Sequence, residues 1–186
     1  MMIEALISGV IRIKFLPQFM WVTGTVPVKE KHDFLKNTLD FIGVNHYNSI
    51  YIKFTPLEER KLEVLLAHPD SEFPKNDMGW DMSPYSMYQI LMHLRKYNFP
   101  IMITENGTCD SSDENVRRKK YLLQSLKCVS EARKDGVDIM GYNHWTLNDN
   151  FEWDDGFGPR FGLFKVNYDL VKKLFKEADD ALEINL

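Results

Sequence analysis

Glu105 stands directly behind the apolar run Ile101-Met102-Ile103-Thr104 and directly ahead of Asn106-Gly107, a pair that turns the chain away. A carboxylate at the end of a buried strand costs solvation and adds nothing to a core, so the position suits carboxylate chemistry; a solvated loop glutamate is the alternative on local grounds. A second cluster runs from Trp145 to Phe161 and reads WTLNDNFEWDDGFGPRF. Interleaved indoles and carboxylates suit a carbohydrate, because ring faces pack on the apolar faces of a sugar while carboxylates take its hydroxyls. An aromatic hinge with surface acids is the plainer alternative.

The elements that must position these groups follow a rhythm. Leu39 to Val44 is a short, nearly continuous apolar run of the kind a strand buried on both faces shows, and it ends in Asn45-His46-Tyr47. Ile101 to Thr104 is a second such strand, and Val137 to Tyr142 a third, ending at Asn143-His144-Trp145. Between the first two, Ser83 as N-cap and Pro84 at the first helical position open a helix in which Met87, Ile90, Leu91 and Leu94 follow a 3.6 period until Phe99-Pro100 stops it. Between the second and third, a helix is expected from about Asp113 to Lys134, with Leu122, Leu126, Val129 and Ala132 on one face and Gly136 closing it. Arg117 to Lys120 reads as a solvated face of that helix.

Outside this rhythm, residues 3 to 11 place Ile3, Leu6, Ile7, Val10 and Ile11 on one helical face. Pro17 to about Asp33 reads as loop, and residues 48 to 82 as a long connection with turn formers around Pro69 and Pro74. A short strand from Leu163 to Val166 and a last helix from about Leu170 to Leu182, with Val171, Leu174, Phe175, Ala178 and Leu182 on its face, complete the chain. Strands alternating with helices imply an α/β fold with a parallel sheet, and the polar and aromatic residues all gather just past the strands' C-terminal ends, where such folds keep their sites.

Composition bounds the function. The chain has 186 residues, 23 Lys+Arg against 27 Asp+Glu for a net charge of −4, and 44% hydrophobic residues. The mild acidity argues against a nucleic-acid partner, and the apolar content against disorder. Pro17, Gln18 and Gly24 interrupt the most apolar N-terminal region, so no membrane span is expected; Glu4, Arg12 and Lys14 likewise spoil a signal peptide, which points to the cytoplasm. Cys109 and Cys128 offer neither a disulfide framework nor a zinc spacing and read as free thiols, and His32, His46, His68, His93 and His144 are scattered without metal-ligand spacing. No metal or cofactor is expected. Asn106-Gly107-Thr108 matches an N-glycosylation acceptor, read as chance beside Glu105.

Four segments taken together resemble successive motifs of the glycoside hydrolase family 1 β-glycosidases, the β-glucosidase and β-galactosidase type. They are LDFIGVNHY (39–47), MGWD (78–81), ITENG (103–107) and GYNHWTLNDNFEWDDGFGPRFGL (141–163), and they occur in the family's order. The resemblance implies a (β/α)8 barrel of which this chain holds a part: the sixth to eighth strands and their helices, with motifs over 39–169 and a helix and loop leading in over 1–38. It implies one incomplete barrel domain over 1–186, since such a barrel takes about 250 residues or more.

By the same resemblance Glu105 is similar to the catalytic nucleophile and Tyr47 to the phenol that hydrogen-bonds it. Asn45 resembles a polar residue lining the sugar site, Trp80 the indole at the entrance beside the leaving group, and Trp145 the floor on which the sugar stacks. Glu152 and Trp153 resemble the pair that binds the sugar's outer hydroxyls, and Phe161 the aromatic wall near its primary alcohol. The Glu-Trp pair implies an unphosphorylated sugar, because a fixed carboxylate there repels a phosphate. His46 and Asn148 depart from the residues many members carry, Tyr and Leu, at positions that are not catalytic by the motif. The family's acid/base lies in an Asn-Glu-Pro tripeptide on the fourth strand, and this sequence contains no such tripeptide. The implied partners are a β-glycoside substrate and the missing N-terminal half of the barrel. A non-enzymatic carbohydrate-binding module and a truncated gene product are the alternatives to an enzyme.

Overall fold

The computed structural model describes residues 2–8, 10–13, 28–55, 61–65, 67–68 and 70–183. Two compact units are present, Met1–Ile42 and Gly43–Leu186. In the first, helix α1 (Met2–Ser8) gives way to strand β1 (Val10–Ile13), which pairs antiparallel with β2 (Val28–Lys31). The expected helix over 3–11 is therefore cut short. The Ser8 hydroxyl bonds back to the Glu4 carbonyl at 2.7 Å and accepts the Val10 amide at 3.2 Å, and Val10 and Ile11 are β-branched residues that favour a strand. The expected loop is likewise corrected at Val28–Lys31; its stretch from Pro17 to residue 27 lies outside the described residues.

The second unit is built on a three-stranded sheet in the order β3–β6–β7, with β3 over Ile42–His46, β6 over Ile101–Asn106 and β7 over Ile139–Tyr142. β6 and β7 run parallel, with a register shift between Ile101 and Met102. Each of the three apolar runs holds a strand, with corrected bounds: β3 starts at Ile42 rather than Leu39 and continues to His46, and β7 starts at Ile139 rather than Val137. Ile42, Val44 and His46 are buried but Gly43 and Asn45 are exposed, so β3 is covered on one face rather than two.

The connection after β3 contains an antiparallel pair the sequence reading lacks, β4 (Tyr51–Thr55) with β5 (Lys61–Leu65). The alternation Lys61-Leu62-Glu63-Val64 was its signal. Helix α2 (Tyr85–Leu94) buries Met87, Leu91 and Leu94 as its period requires. Ser83 does not cap it: its hydroxyl accepts the Ser49 amide at 3.2 Å, while its carbonyl takes the Ser86 amide at 3.1 Å. The helix ends at Leu94, ahead of a 3-10 turn and of Asn98 at φ 55, so Phe99-Pro100 lies past its end.

Of the face expected of helix α3 (Val116–Lys134), Ala132 is buried and Leu122 and Val129 are half-buried, but Leu126 is exposed. Arg118, Tyr121, Ser125, Cys128 and Ala132 are buried, whereas Leu123 and Leu126 are exposed. The N-terminal part of this stripe is polar because Arg118 donates to the carbonyls of Thr108, Asp110 and Arg160 and Tyr121 to that of Tyr47, which apolar periodicity cannot detect. Gly136, at φ +88, closes it as expected. Leu163 to Val166 forms no strand beyond a single parallel bridge between Asn148 and Phe164, because the Gly162 and Val166 amides are taken by the Asp149 carboxylate. On helix α4 (Tyr168–Glu183) Val171 of the expected face is half-buried, while Leu174, Phe175 and Ala178 stand exposed; the Leu182 side chain lies outside the described residues. No described helix is long and apolar enough to cross a membrane. Cys109 and Cys128 are both buried free thiols.

Candidate active site

Strand β6 runs one turn of the pleat further than its apolar run, through Glu105 and Asn106. Asn106 is fully buried and fastens three strand ends. Its Nδ2 donates to the His46 carbonyl at 2.6 Å on β3, and its Oδ1 accepts the Tyr142 hydroxyl at 2.8 Å on β7. Tyr121 of α3 donates its hydroxyl to the Tyr47 carbonyl at 2.5 Å. An asparagine so enclosed is no glycan acceptor. Neither Asn106 nor Tyr121 was visible as a site residue from sequence, since Asn106-Gly107 reads as a turn and Tyr121 lies off the apolar stripe.

Tyr47, the first residue past β3, donates its hydroxyl to Glu105 Oε2 at 2.7 Å. Burial raises the Tyr47 pKa well above that of a free phenol, and the hydrogen bond and negative charge of Glu105 raise it further, with Glu152 adding to the field. The phenol thus remains a proton donor to the carboxylate. Burial also lowers His46 to about 4 and His144 to about 4, the latter helped by the positive charge of Arg118, so both imidazoles are neutral.

Beside this pair stand two rings, Trp80 and Phe161. Tyr47 lies 5.9 Å from Phe161 and 6.4 Å from Trp80 between centroids, and Trp80 lies 6.4 Å from Phe161. Trp80 rides on a loop folded about Asn76, whose Oδ1 accepts the Met78 amide at 3.0 Å and the Trp80 amide at 2.9 Å. Trp145 is brought beside β6 by a close backbone approach. Its amide donates to the Asn106 carbonyl at 3.0 Å, and a Cβ on Gly107 would meet the Trp145 carbonyl oxygen at 1.9 Å, so only glycine fits there. The Trp145 indole then donates to Glu152 Oε1 at 3.1 Å.

The structure thus joins Glu105, Tyr47, Trp80 and Phe161 in one contact group and Trp145 with Glu152 in another whose charge reaches Tyr47. Asn45 accepts the Thr104 hydroxyl at 2.6 Å on the exposed side of β3 and makes no bond to Glu105. Trp153 is 83% exposed and is not drawn in. Among the described residues no three His, Cys, Asp or Glu side chains converge as a metal site. The arrangement offers a carboxylate held by a phenol on which Trp80 and Phe161 pack, and no salt bridge to Glu105 is found among the described residues.

The sequence pattern of glycosyl hydrolase family 1 matches residues 19–179. The β-galactosidase of Sulfolobus acidocaldarius is 38% identical over 151 residues, covering 76% of this chain and 30% of its own length. The structure is similar to that of a β-glycosidase from Pyrococcus horikoshii, with a TM-score of 0.70 and 36% identity over 90% of this chain and 36% of that one. It is also similar to a family 1 β-glucosidase from Thermotoga maritima in complex with isofagomine lactam, with a TM-score of 0.64 and 32% identity over 73% of this chain and 32% of that one. The chain belongs to glycosyl hydrolase family 1. It spans about a third of the length of these relatives.

Proposed function

We propose that this chain is the nucleophile-bearing part of a retaining β-glycosidase acting on unphosphorylated β-glycosides. The observation that carries the proposal is the 2.7 Å hydrogen bond from the Tyr47 hydroxyl to Glu105. It orients one carboxylate oxygen and leaves the other free to attack. In this reading β3, β6 and β7 are the sixth, seventh and eighth strands of a (β/α)8 barrel, and residues 1–186 belong to one incomplete barrel domain. Glu105 attacks the anomeric carbon through an oxocarbenium-like transition state and forms a glycosyl-enzyme that water later hydrolyses. Trp145 supplies the floor, Glu152 and Trp153 bind the outer hydroxyls, Asn45 lines the sugar, Phe161 flanks the primary alcohol, and Trp80 stands at the leaving group. The complex of the Thermotoga maritima relative with isofagomine lactam supports a glycoside-shaped ligand.

Retention also requires a second carboxyl about 5 to 5.5 Å from the first, to protonate the leaving oxygen and then activate water. The 186 residues contain no Asn-Glu-Pro tripeptide, so the reading assigns that role to no residue of this chain. The missing N-terminal half of the barrel is the partner it calls for. A dinitrophenyl β-glucoside, whose leaving group needs no proton, bypasses the first use of the acid but not the second. The expected outcome is a stable hexosyl adduct seen by mass spectrometry, with no adduct from the 6-phosphorylated glucoside. Glucoside binding without any adduct would instead favour a carbohydrate-binding module.

A further inference from the structure

Two consecutive arginines at the start of α3 each reach a different loop beside Glu105, one carrying Trp80 and the other Phe161. Arg117 sends Nη1 to the Lys75 carbonyl at 3.2 Å and pairs through Nη2 with Asp77 and, at 2.9 Å, with Asp110. Asp77 in turn accepts the Ser111 amide at 2.6 Å. Lys75 and Asp77 flank Asn76, the residue about which the Trp80 loop is folded. Arg118 faces the other way and is 4% exposed. Its guanidinium donates to the main-chain carbonyls of Thr108 at 3.4 Å, Asp110 at 2.6 Å and Arg160, and to the Asn115 side chain. Arg160 immediately precedes Phe161, and its carbonyl also accepts the Asp110 amide at 2.9 Å.

Both arms pivot on Asp110. Its carboxylate accepts the Arg117 and Arg118 amides at 3.1 and 3.2 Å, the free amides of the helix N-terminus, together with the Ser112 amide at 3.2 Å and hydroxyl at 2.7 Å. Burial alone would raise its pKa, but Ser112, Arg117 and the backbone amides outweigh that and hold it down to about 2. A charged, five-fold satisfied anchor therefore sits on the loop that leaves Glu105, and two forks radiate from it.

We propose that Arg117 and Arg118 are separate positioning residues: Arg117 sets the Trp80 wall and Arg118 sets the Phe161 wall of the pocket. The arrangement deepens the function proposed above and rests on it for what the walls recognise. Charge alone cannot do this work. Each guanidinium serves several acceptors in fixed directions, which a lysine ammonium on a flexible stem cannot match, so Arg→Lys keeps the charge and removes the fork. Through Trp80, Arg117 acts on the leaving-group side. Through Phe161, Arg118 acts on the side of the primary alcohol.

The test is hydrogen exchange read by mass spectrometry on the full chain, in R117K and R118K. Arg117→Lys is expected to speed exchange at the Met78, Trp80 and Ser111 amides about tenfold or more and to leave Gly162 and Leu163 within about twofold; Arg118→Lys should do the reverse. Asp77→Asn and Asn115→Gly, which each free one arginine arm, the glycine keeping the left-handed φ of 51 that Asn115 holds at the helix start, should reproduce the two patterns more weakly even where a lysine variant does not fold. Labelling adds a readout that general loosening does not move. The ratio of labelling rates by dinitrophenyl β-glucoside and dinitrophenyl β-xyloside, which lacks the primary alcohol, should fall several-fold in R118K and hold in R117K. Equal loosening of both loops by either variant, or of neither, overturns the proposal. A wild-type chain labelled by neither sugar counts against the glycosidase reading, while the exchange pattern still decides the division of labour between the arginines.

Discussion

At the scale of single residues, the Tyr47 phenol and the Glu105 carboxylate act as a unit. Burial and the neighbouring negative charge keep the proton on Tyr47, so the phenol can only donate, and the donated bond fixes which oxygen of Glu105 is spoken for. A hydrogen bond to a charged group contributes about 1.5–3 kcal/mol, or about 10- to 100-fold in rate. Tyr47→Phe is accordingly expected to slow glucosyl labelling by about that factor while leaving the fold intact, which stopped-flow release of dinitrophenol and thermal melting together check. The histidines give a pH dependence. Folded His46 and His144 have pKa values of about 4, against about 6.5 when unfolded. As pH falls from 7 to 5 the unfolded chain takes up protons that the folded chain refuses, and each histidine then costs roughly 2 kcal/mol of stability. Urea midpoints measured at both pH values should show the loss, and His46→Gln should remove about half of it, leaving the share of His144. Residues that announce themselves by type and place, such as Glu105 behind its strand or the Trp145 cluster, were legible in sequence. Asn106 and Arg118 were not, because an asparagine in a turn and an arginine in a basic run look the same whether they face water or three carbonyls.

At the scale of elements, the strands and helices that carry the site follow from apolar runs and 3.6 periods, and β3, β6, β7, α2 and α3 stand where those patterns place them. The failures have causes of two kinds: α1 is cut short by the local bonds of the Ser8 hydroxyl to Glu4 and Val10, whereas the buried Arg118 and Tyr121 of α3 are set by carbonyls distant in the chain, which outweigh local preference. The β6–β7 contact depends on one such long-range demand. Because the Trp145 carbonyl oxygen occupies the space a Gly107 side chain would need, Gly107→Ala must push the two loops apart. The expected cost is about 3 kcal/mol in denaturant unfolding, together with loss of most glucosyl labelling. An alanine variant as stable and as reactive as the wild type would show that the approach is not required.

At the scale of the whole molecule, the chain has about a third of its relatives' length and a three-stranded sheet. The exposed Leu174 and Phe175 on α4 fit a unit that leaves part of its apolar surface to be covered. In the reading proposed above, the candidate nucleophile and the aromatic residues lie in this chain, and proton transfer to the leaving group is assigned to none of its residues, since the sequence holds no Asn-Glu-Pro. Peptide mapping of the chain after exposure to dinitrophenyl β-glucoside tests this most directly. The account predicts a single hexosyl group on the peptide bearing Glu105, absent in Glu105→Gln and slow to hydrolyse in the wild type. An adduct on another residue, or one that persists in Glu105→Gln, would contradict it.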